Sequence, residues 1–269
     1  MRQKYLIAQH GALWREEGIN VRHFRSAKAA IRRSDLVIVH MDVSFIPNRL
    51  LEPLAAHPLV LNSRVQEIRK SRISSCLLER GSDWKGPVIV KTDLNCKGKP
   101  ERLQGVLSGF RGRWWARKDT HYFIFDTVDE VPDWAWEEAA WVVEKQEVEV
   151  DLMGFATHSA TFFGDEISEV KLSGAHPIVK ASNAELCLRL DDVHEEVRRK
   201  RQEIGLDYGK IDYTHNDQGV HVFDVNKTIG FIELHSDTES RGQRLTRERL
   251  KQRGQVIHRY LSGEITPLL

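Results

Sequence analysis

Between Gly209 and Gly230 the chain reads GKIDYTHNDQGVHVFDVNKTIG, and this stretch limits the fold more than any other. Gly209 to Tyr213 leads in, His215-Asn216-Asp217-Gln218-Gly219 supplies turn residues, and Val220 to Val225 alternates back out. Alternation on both sides of a polar, glycine-closed turn predicts two antiparallel strands. Along that layout Asp212, Asp224 and Asn226 could lie on one face, with the cation of Lys210 two residues before the first acid. Carboxylate and amide oxygens on neighbouring strands suit Mg²⁺, which prefers hard oxygen ligands and shares its coordination sphere with substrate phosphates. A polar hairpin with solvated acids has the same spacing, so the rest of the chain has to decide between the two.

Upstream, the first 70 residues read as a small α/β unit. Tyr5 to Gln9 is expected as a short strand, and Ala12 to Glu17 and Ser26 to Arg33 as helices. Asp35-Leu-Val-Ile-Val-His40 and Leu59-Val-Leu61 are continuous apolar runs of the kind found in buried parallel strands. Pro47 is placed to open a helix through His57, and Asn62-Ser63 to cap the next one. No GxGxxG is present here, so dinucleotide binding has no support.

Further along, Arg72 to Arg80 reads as helix, and Gly86-Pro-Val-Ile-Val-Lys91 as a strand closed by a cation. Burying an ammonium is costly unless an anion receives it, so Lys91 either meets an anion or lies just past the strand in solvent. The polar loop Thr92 to Pro100, with one glycine, could close over phosphates through its backbone N–H groups. Tyr122 to Phe125, Trp141 to Gln146, Leu152 to Phe163 and Ile167 to Leu172 are strand-like, and Ser182 to Gly205 is expected as a helix with a Ser182…Glu185 capping box. Its late Arg198-Arg-Lys-Arg201 run suits the negative end of a helix dipole. Trp114, Trp115, Trp134, Trp136 and Trp141 could stack bases, but tryptophans in a folded region are more often core. A last helix, about 238 to 262, presents six Arg or Lys between Arg241 and Arg253 against an apolar face with Leu245 and Leu250. A solvated charged face is the default for it.

Composition narrows the class. The chain has 269 residues, 41% hydrophobic and 29% charged, with a formal net charge of +1, as for a soluble protein with a sizeable core. That balance gives no reason to expect nucleic acid as a partner. No apolar run reaches bilayer length, so no membrane is expected. The three cysteines are far apart and none of the twelve histidines falls in an HExxH, which suggests a reducing, cytoplasmic setting without structural zinc.

A strand-end lysine, a strand leading to Glu144-Lys145, an acid at Asp151, and a late hairpin with Lys210-x-Asp212 and Asp224-x-Asn226 ending at Gly230: in this order the chain resembles the ATP-grasp superfamily. That group includes D-alanine–D-alanine ligases, glutathione synthetases and ribosomal-protein glutamate ligases. The resemblance covers about 35 to 262. It implies an α/β (α+β) ATP-grasp fold with a short pre-ATP-grasp unit at 1–70, a small subdomain at 71–150 and a large subdomain at 151–269. It implies ATP and Mg²⁺ as cofactors, with small-molecule or peptide carboxylate and amine substrates joined through an acyl phosphate. Homodimers are common in such enzymes. Position by position, Lys91 would contact the nucleotide phosphates, and Glu144 with the backbone at Lys145 would read the adenine edge. Asp151 would hold the ribose, Asp212, Asp224 and Asn226 the metal, and Lys210 would stabilise the transferring phosphoryl group. Arg72 and Lys171 resemble further phosphate-contacting cations. Asp224 stands where the family often has Glu, and the loop after Lys91 has fewer glycines than many members. A phosphotransferase acting on a hydroxyl, and a binding module without catalysis, are the other functions such a chain could have.

Overall fold

The computed structural model describes residues 5–103, 122–230, 248 and 250–268. Trp114, Trp115 and most of the basic run between Arg241 and Arg253 lie outside the described residues.

The class is α+β, arranged as two antiparallel sheets and one short parallel pair. Helix α1 (Leu6–Glu16) and α2 (Ala27–Ile31) precede β1 (Val37–Ile38). Helix α3 (Asn48–Leu51) runs into a 3-10 turn, Glu52–Ala56, before β2 (Val60–Leu61), which pairs with β1 in parallel. The proline-opened helix and the parallel pairing therefore form as the sequence predicts. Two expectations in this unit are corrected. Tyr5 to Gln9 is not a strand: only Tyr5 bridges, to Gly230, and Leu6 already begins α1. Leu6, Ile7, Leu13 and Trp14 are buried together, a helical spacing that a five-residue window hides. Asn62 caps no helix. It sits at φ 58°, donates Nδ2 to the Tyr208 carbonyl (2.7 Å) and accepts the Tyr208 N–H (3.0 Å), tying the first unit to the start of the hairpin.

A one-turn helix, α4 (Lys70–Ile73), leads to β3 (Val88–Thr92), and the helix expected over Arg72 to Arg80 ends at Ile73, followed by extended chain. Ser75 spends its N–H on the Val222 carbonyl instead of an intrahelical acceptor. After a 3-10 turn at Asn95–Gly98 comes α5 (Lys99–Leu103). Strands β4 (Phe123–Phe125) and β5 (Trp141–Lys145) flank β3 in a three-stranded sheet, with α6 (Asp133–Glu137) packed on it. Trp134, Trp136 and Trp141 are partly buried and pack against the buried Val88, Val90, Val128 and Val143 of the small sheet's core.

The larger sheet is built from β6 (Glu149–Asp151), β7 (Gly154–Phe163), β8 (Glu166–Gly174), β9 (Leu186–Leu190), β10 (Tyr208–Asn216) and β11 (Gly219–Asn226), in the order β11-β10-β7-β8-β9, with β6 pairing β7. The single helix expected over Ser182 to Gly205 is instead β9 followed by α7 (Glu195–Ile204). Leu186, Leu188 and Leu190 follow the two-residue period of a strand, and His194 with Gly205 at φ 70° delimits the true helix.

Register divides this sheet into two functional faces. Asp212 opposes Ser159 on β7 and Asp224 on β11, while Tyr213 opposes His158. Ala160, Phe162, Ile211, Tyr213 and Val225 therefore face one way, onto Val193, Val197 and Leu206 around α7. Lys210, Asp212, Asp224 and Asn226 face the other way. The far end of that second face carries Phe163 and Tyr208, covered by α1 and the C-terminal helix Val256–Leu261.

Candidate active site

The open part of the second face forms the floor of a cavity of about 770 Å³ between the two sheets. Lys210, Asp212, Asp224 and Asn226 line it from the hairpin, Lys70, Thr92, Asn95 and Lys97 from one wall, Tyr122 and Ile124 from the small sheet, and His176, Lys180 and Asn183 from the loop after β8. Hairpin register brings the polar groups together: Lys210 lies opposite Asn226, and Asp212 opposite Asp224. A register shift after Asp212 keeps both acids on the cavity side while Val222 and Val225 stay in the core.

Charges in this cavity are arranged in pairs. Lys210 Nζ lies 2.7 Å from Asp212 Oδ2, and Asp212 Oδ1 accepts from Ser159 Oγ at 2.7 Å. Lys70 Nζ lies 3.3 Å from Asp224 Oδ1 and donates to Asn95 Oδ1 at 2.7 Å. Burial alone would lower both lysines, but the adjacent carboxylates outweigh it: Asp224 raises Lys70, and Asp212 raises Lys210. Both ammonium groups are thus kept charged. Asn226 donates to Asp224 Oδ2 (2.8 Å), and Asn95 Nδ2 donates to the Val225 carbonyl (2.9 Å) and to Asn226 Oδ1 (3.3 Å).

Does this set fit a magnesium ion? Asp224 Oδ1 is buried and, despite its 3.3 Å approach to Lys70, makes no well-formed hydrogen bond. It is an acceptor held by an ion pair alone. No group of three or more His, Cys, Asp or Glu side chains among the described residues could hold a metal unaided. Two carboxylates and one amide suit a hard cation that takes its remaining ligands from phosphate oxygens or water. The donor chemistry fits on those terms.

The other residues singled out from the sequence lie in different places. Lys91 is buried inside β3, not in solvent beyond it. Its Nζ lies 2.7 Å from Glu144 Oε2 and 3.4 Å from the Phe223 carbonyl, so it spans from the small sheet to the hairpin's back edge. Glu144 is 1% exposed, and burial pushes its carboxyl upward against the pull of Lys91. Lys145 reaches over the Trp84 ring at 5.0 Å. Arg72 is largely exposed, with its nearest acid, Glu67, at 3.9 Å. Asp151 and Lys171 are 3.2 Å apart, but register sets them on the sheet face opposite Asp212, where Asp151 also accepts from Ser173 Oγ (2.7 Å). There they extend a network in which His158 bridges Glu169 (2.5 Å) and Glu149 (2.9 Å) and Tyr213 donates to Glu169 (2.7 Å). The structure brings together the hairpin residues. Of the predicted nucleotide-contacting residues, Arg72, Lys91, Glu144, Lys145, Asp151 and Lys171 are not among those that line this cavity.

Sequence reading missed Lys70, Asn95, Lys97, Tyr122 and Lys180. Of these, Lys70 is the most consequential: 6% exposed, paired with an acid, and aimed into the cavity. Its signal was weak, a lysine two residues before the arginine that attracted notice.

No family model matches the chain, and no curated protein does. The chain is similar in structure to solved ATP-grasp ligases. A D-alanine–D-alanine ligase from Bacillus anthracis aligns over 97% of this chain and 95% of its own, at 12% identity and a TM-score of 0.44. The ATP-grasp ligase PsnB, complexed with a phosphomimetic variant of minimal precursor, Mg and ADP, aligns over 77% of this chain and 67% of its own (12% identity, TM-score 0.37). A Chryseobacterium gregarium RiPP-associated ATP-grasp ligase, in complex with ADP and a leader and core peptide, aligns over 69% and 57% (13% identity, TM-score 0.33). At these levels the likeness assigns no role to any residue, and the reading rests on the cavity's own chemistry.

Proposed function

We propose that this chain is an ATP- and Mg²⁺-dependent ligase that joins a carboxylate to an amine through an acyl-phosphate intermediate. One observation carries the reading: two carboxylates and an amide share one face of a hairpin, Asp224 is matched by the buried Lys70 and Asp212 by the partly exposed Lys210, and all five side chains line a cavity between two sheets.

Phosphoryl transfer needs positioning and charge neutralisation more than a protein nucleophile. Asp212, Asp224 and Asn226 would hold magnesium, which when bound neutralises phosphate charge and orients the transferring group. Lys70 and Lys210 are the cations placed to take over as phosphate oxygens arrive, each exchanging a carboxylate partner for a phosphate. Lys97 and Lys180 add charge at the rim. Glu144 stays committed to Lys91 and acts in this reading as the partner that keeps a buried ammonium in the small sheet.

The test has two stages. Mg-ATP should raise the melting temperature of the full chain by several degrees through ligand linkage. Amino acids and small carboxylates should then be screened for ATP-dependent release of ADP and phosphate with a new amide. ADP formation without free phosphate would indicate transfer to a hydroxyl instead, and no thermal response to Mg-ATP would remove the nucleotide site altogether.

A further inference from the structure

Asn95 touches the hairpin, the first unit and Lys70, and its polarity is fixed by what it touches. Its Oδ1 accepts from Lys70 Nζ at 2.7 Å, while Nδ2 donates to the Val225 carbonyl at 2.9 Å and to Asn226 Oδ1 at 3.3 Å. Turning the amide over would set N–H groups against an ammonium and an oxygen against two oxygens, so one orientation alone satisfies these neighbours. The backbone is held as well. Cys96 and Lys97 follow at φ 46° and 64°, and two successive left-handed residues other than glycine persist only where their surroundings over-determine them. Just before them, the Asn95 N–H is pinned to Ser44 Oγ at 2.8 Å.

These contacts close a ring. Lys70 donates to Asn95, Asn95 to Asn226, and Asn226 Nδ2 to Asp224 Oδ2 at 2.8 Å, while Asp224 Oδ1 returns to Lys70 at 3.3 Å. All its donors run one way, from an ammonium through two amides to a carboxylate, the sense in which hydrogen bonds polarise one another. The oxygens a cation would take from this part of the hairpin, both of Asp224 and Oδ1 of Asn226, therefore each face a donor already. A bare Mg²⁺ has to break the ring. A triphosphate undoes it from the other end, by offering Lys70 a more highly charged acceptor and removing the ammonium that polarises the amides.

We propose that Asn95 is a positioning residue that keeps these hairpin oxygens closed to free metal and releases them when a nucleotide draws Lys70 away. Metal then enters with the phosphates and not ahead of them, so the chain on its own holds divalent cations weakly. The inference rests on the ligase reading for the identity of metal and nucleotide, whereas the ring stands on the contacts above.

Calorimetric titration of the full chain with Mg²⁺, without and with a saturating non-hydrolysable ATP analogue, tests this. Asn95→Ala should bind Mg²⁺ alone about fivefold or more tightly than the wild type, the scale of one net hydrogen bond. The gain in Mg²⁺ affinity that the analogue confers should shrink by a like factor. Asn95→Leu, which refills the volume, should behave in the same way and decides the matter if Asn95→Ala fails to fold. A residue that only braces its loop would weaken both titrations instead. Affinity for Mg²⁺ alone that is unchanged or weaker in the folded variants thus overturns the proposal. Failure of the ligase reading looks different, because the analogue then gives the wild type neither a thermal shift nor a gain in Mg²⁺ affinity. A normal gain in the wild type with no tightening in the variants removes the role of Asn95 alone.

Discussion

Lys70 Nζ lies 3.3 Å from Asp224 Oδ1, so the lysine of a one-turn helix occupies the ground where a cation is expected on the hairpin. The pair makes the acid unavailable until something else attracts the ammonium. Lys70→Met should therefore act in opposite directions on two ligands. Affinity for Mg²⁺ alone should rise, because Asp224 loses its competitor. Affinity for Mg-ATP should fall about tenfold or more, in line with roughly 1.5–3 kcal/mol for a hydrogen bond to a charged group. Isothermal titration of both ligands checks this, and parallel changes would show that Lys70 is only structural.

Asp212 accepts from Ser159 and holds Lys210 at 2.7 Å. Asp212→Asn preserves shape and the Ser159 bond but removes the charge. ATP turnover should drop at least a hundredfold while the circular dichroism spectrum stays native. Turnover close to wild type would take Asp212 out of the metal set.

Gly209 is required by a close approach, not by its φ. A Cβ there would lie 2.6 Å from the Asn226 carbonyl oxygen and 2.6 Å from Leu206 Cδ1. Only the leucine can yield cheaply. Gly209→Ala should cost about 1–3 kcal/mol, the usual range for overpacking, and should displace Asn226, weakening Mg-ATP binding as well. Urea denaturation together with nucleotide titration would detect both effects, and an alanine variant with wild-type stability would contradict the packing described.

Stability should fall on both sides of neutrality, for different histidines. Burial would lower His158, but its hydrogen bonds to Glu149 and Glu169 raise it to about 9. A raised folded value means a contribution complete below the unfolded value near 6.5 and lost as pH climbs through about 9, amounting to at most about 3 kcal/mol. Burial lowers His10 to about 3 and His40 to about 4, so both fold as neutral rings. Their contribution is complete above about 6.5 and fades as pH falls toward those values. Chemical denaturation from pH 5 to pH 9.5 should show a maximum between, and His158→Gln should flatten the alkaline limb alone.

The hairpin was legible because two-residue alternation around a turn is a local signal. The alternation located the two strands and the turn, but that Asp212 shares a face with Asp224 and Asn226 depends on the register shift after Asp212, which spacing does not show. What spacing could not convey was distance across the fold. Asp151 and Lys171 are placed correctly along their strands, yet their parity turns them to the face holding His158. Parity between strands depends on the pairing of β6, β7 and β8, which no single segment encodes. Lys70 shows the converse. It belongs to a helix too short for periodicity, and only the approach of β11 gives it meaning. The Ser182–Gly205 error had another source: charged residues after Leu190 continue an apparently helical composition, whereas the leucines before it already obey strand spacing.

Asn95 joins parts of the chain that are far apart in sequence. Its backbone N–H rests on Ser44 of the first unit, its amide oxygen takes Lys70, and its amide nitrogen reaches Val225 and Asn226 on the hairpin. A single residue thus links three parts of the chain. An outward swing of the small sheet would have to release several of these bonds together, so under the proposed function release of product would carry a barrier of its own.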